Sequence, residues 1–335
     1  KVSDEVLAAL YRIADQFMCL SAHEGFGMPL IEAMQYKIPV IARMSSNIAD
    51  TLGIGGILLD STASAWDCAN AAFNLMQEPA LRRHVVTQQD LNLERFSKET
   101  VRRQLREYLS SIGIRSFENQ QVEDQKEAAL AVQIEGPFDS NYSLAVVNRE
   151  LARAMSAFES RTGLRSHEGT GDFLPSVEFL DRNPDLKRLH ENSTSSDVPP
   201  RTALRFCYPP YLDNMPAGQR IVHSYGWEET GFPIAYVEEF NRRADAISVL
   251  SPFVAKVLRD SGVRVPIVVT GAGVDHLLRL EKVPLRAAIS KQAKSFRFLH
   301  VSSCFPRKAV DVLLQAYAKA FRASDDVTLI IKTFE

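Results

Sequence analysis

His23-Glu24-Gly25-Phe26-Gly27-Met28-Pro29-Leu30-Ile31-Glu32-Ala33-Met34 sets two glutamates on either side of a glycine loop that runs straight into a helix. Pro29 suits the first helical position, because its missing N–H would have no partner there anyway. Gly25 and Gly27 permit backbone conformations and close approaches that a β-carbon forbids. The expected result is a row of free backbone N–H groups at a helix N-terminus, ready for phosphate or sugar oxygens. Glu32 is expected in the first turn, where the helix dipole favours the ionised form by roughly 0.3–1 kcal/mol. A carboxylate only accepts hydrogen bonds, and polyhydroxylated ligands offer hydroxyl donors. The stretch therefore reads as a sugar-nucleotide site.

Outward from this stretch, helix and strand signals alternate. Ser3 can cap a helix with Asp4 and Glu5 in its first turn and Leu7, Leu10 and Ala14 on one face. Strands are expected at 16–20 and 39–42. A glycine turn at 53–56 leads to a short strand, and helices follow near 63–76, 80–95 and 98–110. Strands alternating with helices predict the α/β class: Rossmann-like parallel sheets with helices on both faces. Residues 115–126 are polar and read as a linker. A new strand at 128–134 ends in Glu135-Gly136-Pro137-Phe138-Asp139-Ser140-Asn141-Tyr142-Ser143, with a helix following to about Phe158. Strand-loop-helix turns of this kind are where open α/β sheets place ligands. Residues 191–201 are expected to form a loop, and strands are expected at 203–207, 220–223, 246–250 and 266–270. Between the last two, Ser251 caps a helix with Pro252 at its first position and Gly262 past its end. A further strand, 296–301, runs into Ser302-Ser303-Cys304-Phe305-Pro306-Arg307-Lys308-Ala309 and a helix that buries Val310, Leu313, Leu314, Tyr317 and Phe321. Two adjacent cations before a helix N-terminus make an anion site of fixed charge plus free N–H groups.

Composition narrows the classes. A chain of 335 residues should hold about two domains at the usual ~150 residues each. Hydrophobic content of 45% and charged content of 24% are ordinary for a globular protein. A net charge of −2 offers no global basic field for nucleic acid. Cys19, Cys68, Cys207 and Cys304 are scattered, with no Cys-x-x-Cys pair and no histidine at metal spacing, so neither a metal nor another cofactor is expected. Such thiols fit a reduced, cytoplasmic compartment, and neither a signal peptide nor a ~20-residue apolar run interrupts that reading. Gly169-Thr170-Gly171 and Gly271-Ala272-Gly273 both lack the third glycine of a dinucleotide fingerprint, which argues against a nicotinamide oxidoreductase.

Glu-Gly-Phe-Gly-x-Pro-x-x-Glu-Ala-Met followed by Ile38-Pro39-Val40-Ile41-Ala42 closely resembles the donor-site signature of retaining glycosyltransferases with two Rossmann-like (GT-B) domains, the glycosyl transferases group 1. The resemblance runs from Val2 to about Leu109 and takes in Leu10-Tyr11-Arg12-Ile13-Ala14-Asp15 and Asp60. It implies that Glu24 orients the donor sugar, that Phe26, Gly27 and Met28 offer backbone N–H groups to sugar or phosphate, and that Glu32 accepts from ribose hydroxyls. Asp50 is a weaker candidate near the same cleft, and His23 reads either as a ligand contact or as a structural neighbour. Trp227-Glu228-Glu229-Thr230-Gly231-Phe232-Pro233, Val237-Glu238-Glu239-Phe240-Asn241 and Gly271-Ala272-Gly273-Val274-Asp275-His276 are similar to the acceptor-side domain of the same group, with Ala272 where the family usually has Asn. Gly136, Ser140, Tyr142, Trp227 and Glu228 are the acceptor-side candidates, Trp227 being equally readable as a packing residue. Arg307 and Lys308 match the pair that holds the donor diphosphate, although Ser302-Ser303 stands where many members carry Gly-Arg.

In this group the acceptor-side domain precedes the Arg/Lys helix and the Glu-loop-Glu half comes last; here the order is reversed. The resemblance therefore implies a fragment of two tandem transferases. On that reading 1–112 completes the first, 113–127 links, 128–280 is the acceptor-side domain of the second, and 281–335 begins its donor domain. A start at Lys1 without methionine and a stop at Glu335 fit a fragment. A permuted single enzyme is disfavoured, because the strand and helix expected between Glu335 and Lys1 are absent. The implied activity moves a sugar from a nucleotide-diphosphate sugar to a glycan or lipid-linked acceptor with retention. The tandem pattern suggests GDP-mannose and surface polysaccharide, while the donor base, sugar, acceptor and linkage stay open. Arg102, Arg103 and Arg106 form a basic helix face that suits peripheral contact with the inner membrane face, or a merely solvated one. The rival reading is a non-catalytic carbohydrate- or nucleotide-binding fragment or scaffold.

Overall fold

The computed structural model describes residues 3–111, 130–140, 142–168, 174–195, 198–215, 218–280 and 293–333. The expected linker at 113–127, positions 128 and 129 of the expected strand, Asn141, Gly169-Thr170-Gly171 and the first residues of the expected last domain, 281–292, lie outside them. In chain order the elements are α1 (Asp4–Ile13), β1 (Gln16–Cys19), α2 (Met28–Gln35), β2 (Val40–Arg43), α3 (Ile48–Leu52), β3 (Ile57–Leu59), α4 (Ala65–Gln77), α5 (Pro79–Leu93), α6 (Lys98–Ser111), β4 (Val132–Glu135), α7 (Ser143–Ser156), β5 (Thr162–Arg165), α8 (Val177–Arg182), α9 (Pro184–Thr194), β6 (Thr202–Arg205), β7 (Gln219–Tyr225), α10 (Ile234–Arg243), β8 (Ala246–Val249), α11 (Pro252–Asp260), β9 (Ile267–Val269), β10 (Phe296–Val301), α12 (Val310–Ala320) and β11 (Val327–Lys332). They divide into two compact units. The first comprises 1–100, 227–229 and 273–335; the second comprises 101–226 and 230–272.

The first unit is built on a five-stranded sheet in the order β11-β10-β1-β2-β3, every described pairing parallel. Read with the last two strands first, the order is 2-1-3-4-5, a doubly wound arrangement whose ligand crevice lies where the winding reverses, here between β10 and β1. The two ends of the chain, assigned by sequence order to different enzymes, thus share one sheet, with Gln16 and Phe17 beside Phe298 and Leu299. All four residues of β1 are buried, so it needs a hydrogen-bonding neighbour on each side; β2 provides one and β10 the other. Side chains alternate between the two faces. Met18, Leu20, Ile41 and Phe298 cluster with Cys68, Ala72 and Leu75 of α4 and Leu313 and Ala316 of α12. Phe17 points the other way, its ring 6.1 Å from that of Tyr11 on α1.

Local signals set some of the helix starts. Ser64 and Asp67 form a reciprocal capping box on α4. Ser3 stands at the N-cap of α1 with Asp4 and Glu5 in the first turn, but its hydroxyl makes no capping bond. The start of α2 differs from the expectation by one residue. Gly27 is the N-cap in the left-handed region at φ 79°, so the helix begins at Met28, Pro29 falls at its second position, and Glu32 lies beyond the first turn.

The second unit carries a six-stranded parallel sheet in the order β5-β4-β6-β7-β8-β9, again 2-1-3-4-5 with one strand added. Val132, Ile134, Leu164, Leu204 and Ile221 of its strands pack with Ala152 and Met155 of α7 and with Leu186 and Leu189 of α9. That last pair corrects the loop expected at 191–201: α9 continues to Thr194, because two buried leucines hold the polar segment onto the sheet. Ser251 caps α11 by accepting from the Val254 N–H, with Pro252 first and Gly262 following at φ 102°, as its sequence indicates. Among the described residues no helix is long and apolar enough to cross a membrane.

Candidate functional site

At the reversal point of the first unit, the loops after β1 and β10 are tied together. The Ala22 N–H donates to the Arg307 carbonyl at 2.6 Å. Lys308 Nζ lies 2.5 Å from Glu24 Oε1, in a pair whose side chains keep only 10% and 13% of their surface exposed. Backbone contacts fix the Glu24 loop from below. The Ser46 hydroxyl accepts from the Glu24 N–H at 2.7 Å and faces the Glu24 carbonyl at 2.9 Å, while Thr51 Oγ1 donates to the Phe26 carbonyl at 2.5 Å. Asn47 Nδ2 donates in turn to Thr51 Oγ1 at 2.7 Å, which leaves that hydroxyl's own proton for Phe26. Gly25 is required by crowding, since a Cβ there would sit 2.9 Å from the Trp227 carbonyl oxygen.

Trp227-Glu228-Glu229, read from sequence as acceptor-side, pack with the first unit. Arg307 Nη1 is 2.5 Å from Glu228 Oε2 and Lys308 Nζ is 3.8 Å from Glu228 Oε1. Burial pushes the Glu228 carboxyl up, against the pull of Lys308. Arg307 and Lys308 occupy a short 3-10 turn, Pro306–Lys308, and Ala309 in the left-handed region at φ 51° joins that turn to α12. The cations therefore stand one turn ahead of the helix start. The first turn of α12, whose N–H groups have no partner within the helix, follows directly on this turn. Beneath them, His300 donates from Nδ1 to the Met18 carbonyl at 2.8 Å, which leaves Nε2 to accept from the Ser302 hydroxyl at 2.8 Å. Burial holds this imidazole's pKa down, in keeping with a neutral ring. Cys19, its thiol pushed up to about 11 by burial, is inert packing under the Glu24 loop.

Glu32 and Asp50 are placed differently from Glu24. Glu32 is buried in α2, where its Oε2 accepts from the Tyr11 hydroxyl at 2.7 Å and its Oε1 lies 3.5 Å from His276 Nε2. Burial raises its pKa while His276 and Tyr11 pull the other way. Asp50 on α3 lies 3.6 Å from Arg95 at the surface. His23 is exposed. The described residues contain no cluster of three or more His, Cys, Asp or Glu placed to hold a metal.

In the second unit the loop after β4 is shaped from beneath. Gly136, at φ 152°, has no room for a side chain: a Cβ would lie 2.2 Å from the Phe206 carbonyl and 2.3 Å from Asn148 Nδ2. That amide nitrogen donates to the Pro137 and Phe206 carbonyls, both at 2.9 Å, which fixes the amide orientation and turns Oδ1 toward His223 Nε2 at 3.0 Å. His223 is therefore the Nε2–H tautomer, and burial pushes its pKa down to about 3. Glu135 and Arg205, at adjacent strand ends, form a fully buried pair at 2.6 Å; Arg205 also donates to the Tyr211 and Asp213 carbonyls. The Ser140 carbonyl accepts from Arg149 at 2.5 Å, and Tyr142 donates to Glu168 at 2.6 Å. Of the expected acceptor-side residues, Gly136, Ser140 and Tyr142 thus belong to this unit and Trp227 and Glu228 to the other. Arg102 and Arg106 lie 5.0 and 5.6 Å from the centre of the Phe158 ring.

Comparison with known proteins finds similarity over part of the first unit. Residues 1–89 match the family model of glycosyl transferases group 1. The group 1 match takes in β1 to β3, α2 and Glu24, Phe26, Gly27, Met28, Glu32 and Asp50; Arg307, Lys308 and the second unit lie beyond it. The O-antigen chain mannosyltransferase B of Escherichia coli is 37% identical over 59 residues, 18% of this chain and 16% of that protein. The serotype-specific mannosyltransferase WbdA of Escherichia coli is 55% identical over 42 residues, 12% of this chain and 5% of that protein. The chain thus covers about a sixth or less of the length of these relatives. No solved structure matches the chain significantly.

Sequence reasoning found the charged residues but missed their supports. Ser46, Thr51, Asn148 and His223 are ordinary in sequence, and only the fold brings them under the two loops. His276 had a sequence signal, the Gly-Val-Asp-His passage, although nothing there links it to Glu32.

Proposed function

We propose that the chain serves glycosyl transfer from a nucleotide-diphosphate sugar, GDP-mannose by preference, to a glycan or lipid-linked acceptor with retention, in surface polysaccharide synthesis. The observation that carries the reading is the meeting of Glu24 with Arg307 and Lys308 at the reversal point of one sheet, within 2.5 Å for Lys308. Breaking the bond from an anomeric carbon to a nucleoside diphosphate builds negative charge on the leaving phosphate. Fixed cations and N–H dipoles at that position stabilise it, and the loss of one such donor costs about 3–4 kcal/mol. Lys308 and Arg307 would supply the charge, and the N–H groups at the starts of α2 and α12 the dipoles. Glu24, held through its backbone by Ser46, would accept from donor-sugar hydroxyls and set the ring's orientation. Phe26, Gly27 and Met28 would line the same crevice and Glu32 and Asp50 its nucleoside end; in the second unit, Gly136, Ser140 and Tyr142 would contact the acceptor.

The mannosyl preference and the polysaccharide role rest on the names of the two relatives. The tandem organisation rests on the order of the pieces in sequence alone and would give Arg307 and Lys308 to a second transferase; the shared sheet instead supports a single donor site built from both pieces. Arg102 and Arg106 would meet anionic lipid at the inner membrane face. Calorimetric titration with GDP-mannose, UDP-glucose and ADP-glucose, beside Lys308→Ala, tests the donor site. Binding of one sugar nucleotide that weakens at least tenfold in the variant is the expected result. Binding of none, or binding indifferent to Lys308, would overturn it. Binding without transfer to any mannan acceptor would favour the non-catalytic alternative.

A further inference from the structure

We infer that Glu228 stands in for a donor phosphate on the Arg307–Lys308 pair and must be displaced when a diphosphate binds, so that it sets how tightly the site takes its anion. This rests on the donor-site reading above and assigns to Glu228 a role on the donor side. The carboxylate spans both cations, with one oxygen 2.5 Å from Arg307 and the other 3.8 Å from Lys308. Lys308 is already neutralised by Glu24 at 2.5 Å, which leaves Glu228 as the balancing charge for Arg307. Two cations thus face two carboxylates with no charge to spare. The guanidinium fork takes phosphate oxygens in the same way it takes a carboxylate. A diphosphate arriving at Arg307 therefore competes with Glu228 for the same donors, and part of its attraction is spent on releasing that side chain.

The backbone around Glu228 makes it a fixed competitor. Its neighbour Trp227 lies against Gly25, where a Cβ would be only 2.9 Å from the Trp227 carbonyl. The segment therefore sits on the Glu24 loop itself, and the carboxylate reaches the cations from a held position. Removing the charge while keeping the shape should strengthen anion binding, whereas removing a merely structural contact should weaken it. The two roles differ in sign.

The experiment is equilibrium binding of GDP, inorganic pyrophosphate and guanosine to the full chain, its Glu228→Gln and Glu228→Ala variants, and Arg307→Ala, with folding checked by circular dichroism. Both Glu228 variants should bind GDP and pyrophosphate at least fivefold tighter, leave guanosine unchanged, and show a steeper fall with salt; Arg307→Ala should weaken both anions. If wild type binds GDP through Arg307 but the Glu228 variants bind it equally or more weakly, the stand-in role is wrong and the donor site survives. If no protein binds any phosphate ligand, and Arg307→Ala changes nothing, both fall.

Discussion

His223 gives the sharpest quantitative expectation. It is buried, donates from Nε2 to Asn148 Oδ1, and has a pKa pushed from 6.5 down to about 3 by burial. Its Nδ1 has no partner among the described residues, so protonation would create a buried donor with nowhere to go. A lowered pKa means that the folded state refuses a proton the unfolded chain takes up. The stabilising contribution is therefore complete above 6.5 and is lost as pH falls toward 3. Between pH 7 and pH 5 the unfolded histidine becomes almost fully protonated while the folded one stays neutral, which removes about 2 kcal/mol at 1.36 kcal/mol per pKa unit. Hydrogen exchange of the β6 and β7 amides reads this directly, after correction for the intrinsic pH dependence of exchange. Their protection should drop about 25-fold more in wild type than in His223→Gln, which keeps a donor for Asn148 but does not titrate. Equal drops in the two proteins would refute the buried neutral histidine.

Three further expectations follow from buried groups. Arg205→Met removes the cation from the buried Glu135 in the second unit and should cost about 3–5 kcal/mol, with Glu135→Gln/Arg205→Met recovering a large part; a thermal shift below 2 °C would contradict it. Gly136→Ala forces a side chain into a space closed at 2.2 Å and into a left-handed φ, so a loss of about 1–3 kcal/mol should appear in the denaturation midpoint of the second unit. For Glu32 the sign is opposite to that of His223. Its raised pKa gives a contribution that is complete below about 4.5 and lost as pH rises through the raised value. Glu32→Gln should flatten that loss, followed by the fluorescence of Trp66 and Trp227, both of which lie in the first unit.

The strands and the helix caps were legible wherever one local signal sufficed. Ser251-Pro252 and Gly262 bracket α11 as read, because capping and left-handed glycine are decided within a few residues. β5 was missed, since Thr162-Gly163-Leu164-Arg165 has neither length nor alternation and owes its place to pairing with β4. α9 carries no such signal either, its last residues reading as a loop: the helix is held by Leu186 and Leu189 against a polar tail. The two charged loops could be named but not joined, because the sheet position of β10 beside β1 depends on a pairing nearly 300 residues apart in sequence. The burial of Glu32 was hidden too; it follows from Tyr11 and His276, which lie on separate segments.

A donor bound as proposed bridges the loops after β1 and β10. Hydrogen exchange of the full chain with and without saturating GDP-mannose tests it most directly. Protection should rise together in residues 22–28 and 304–310, and that rise should disappear in Lys308→Ala. Protection confined to one loop, or found elsewhere while both loops exchange unchanged, would contradict it.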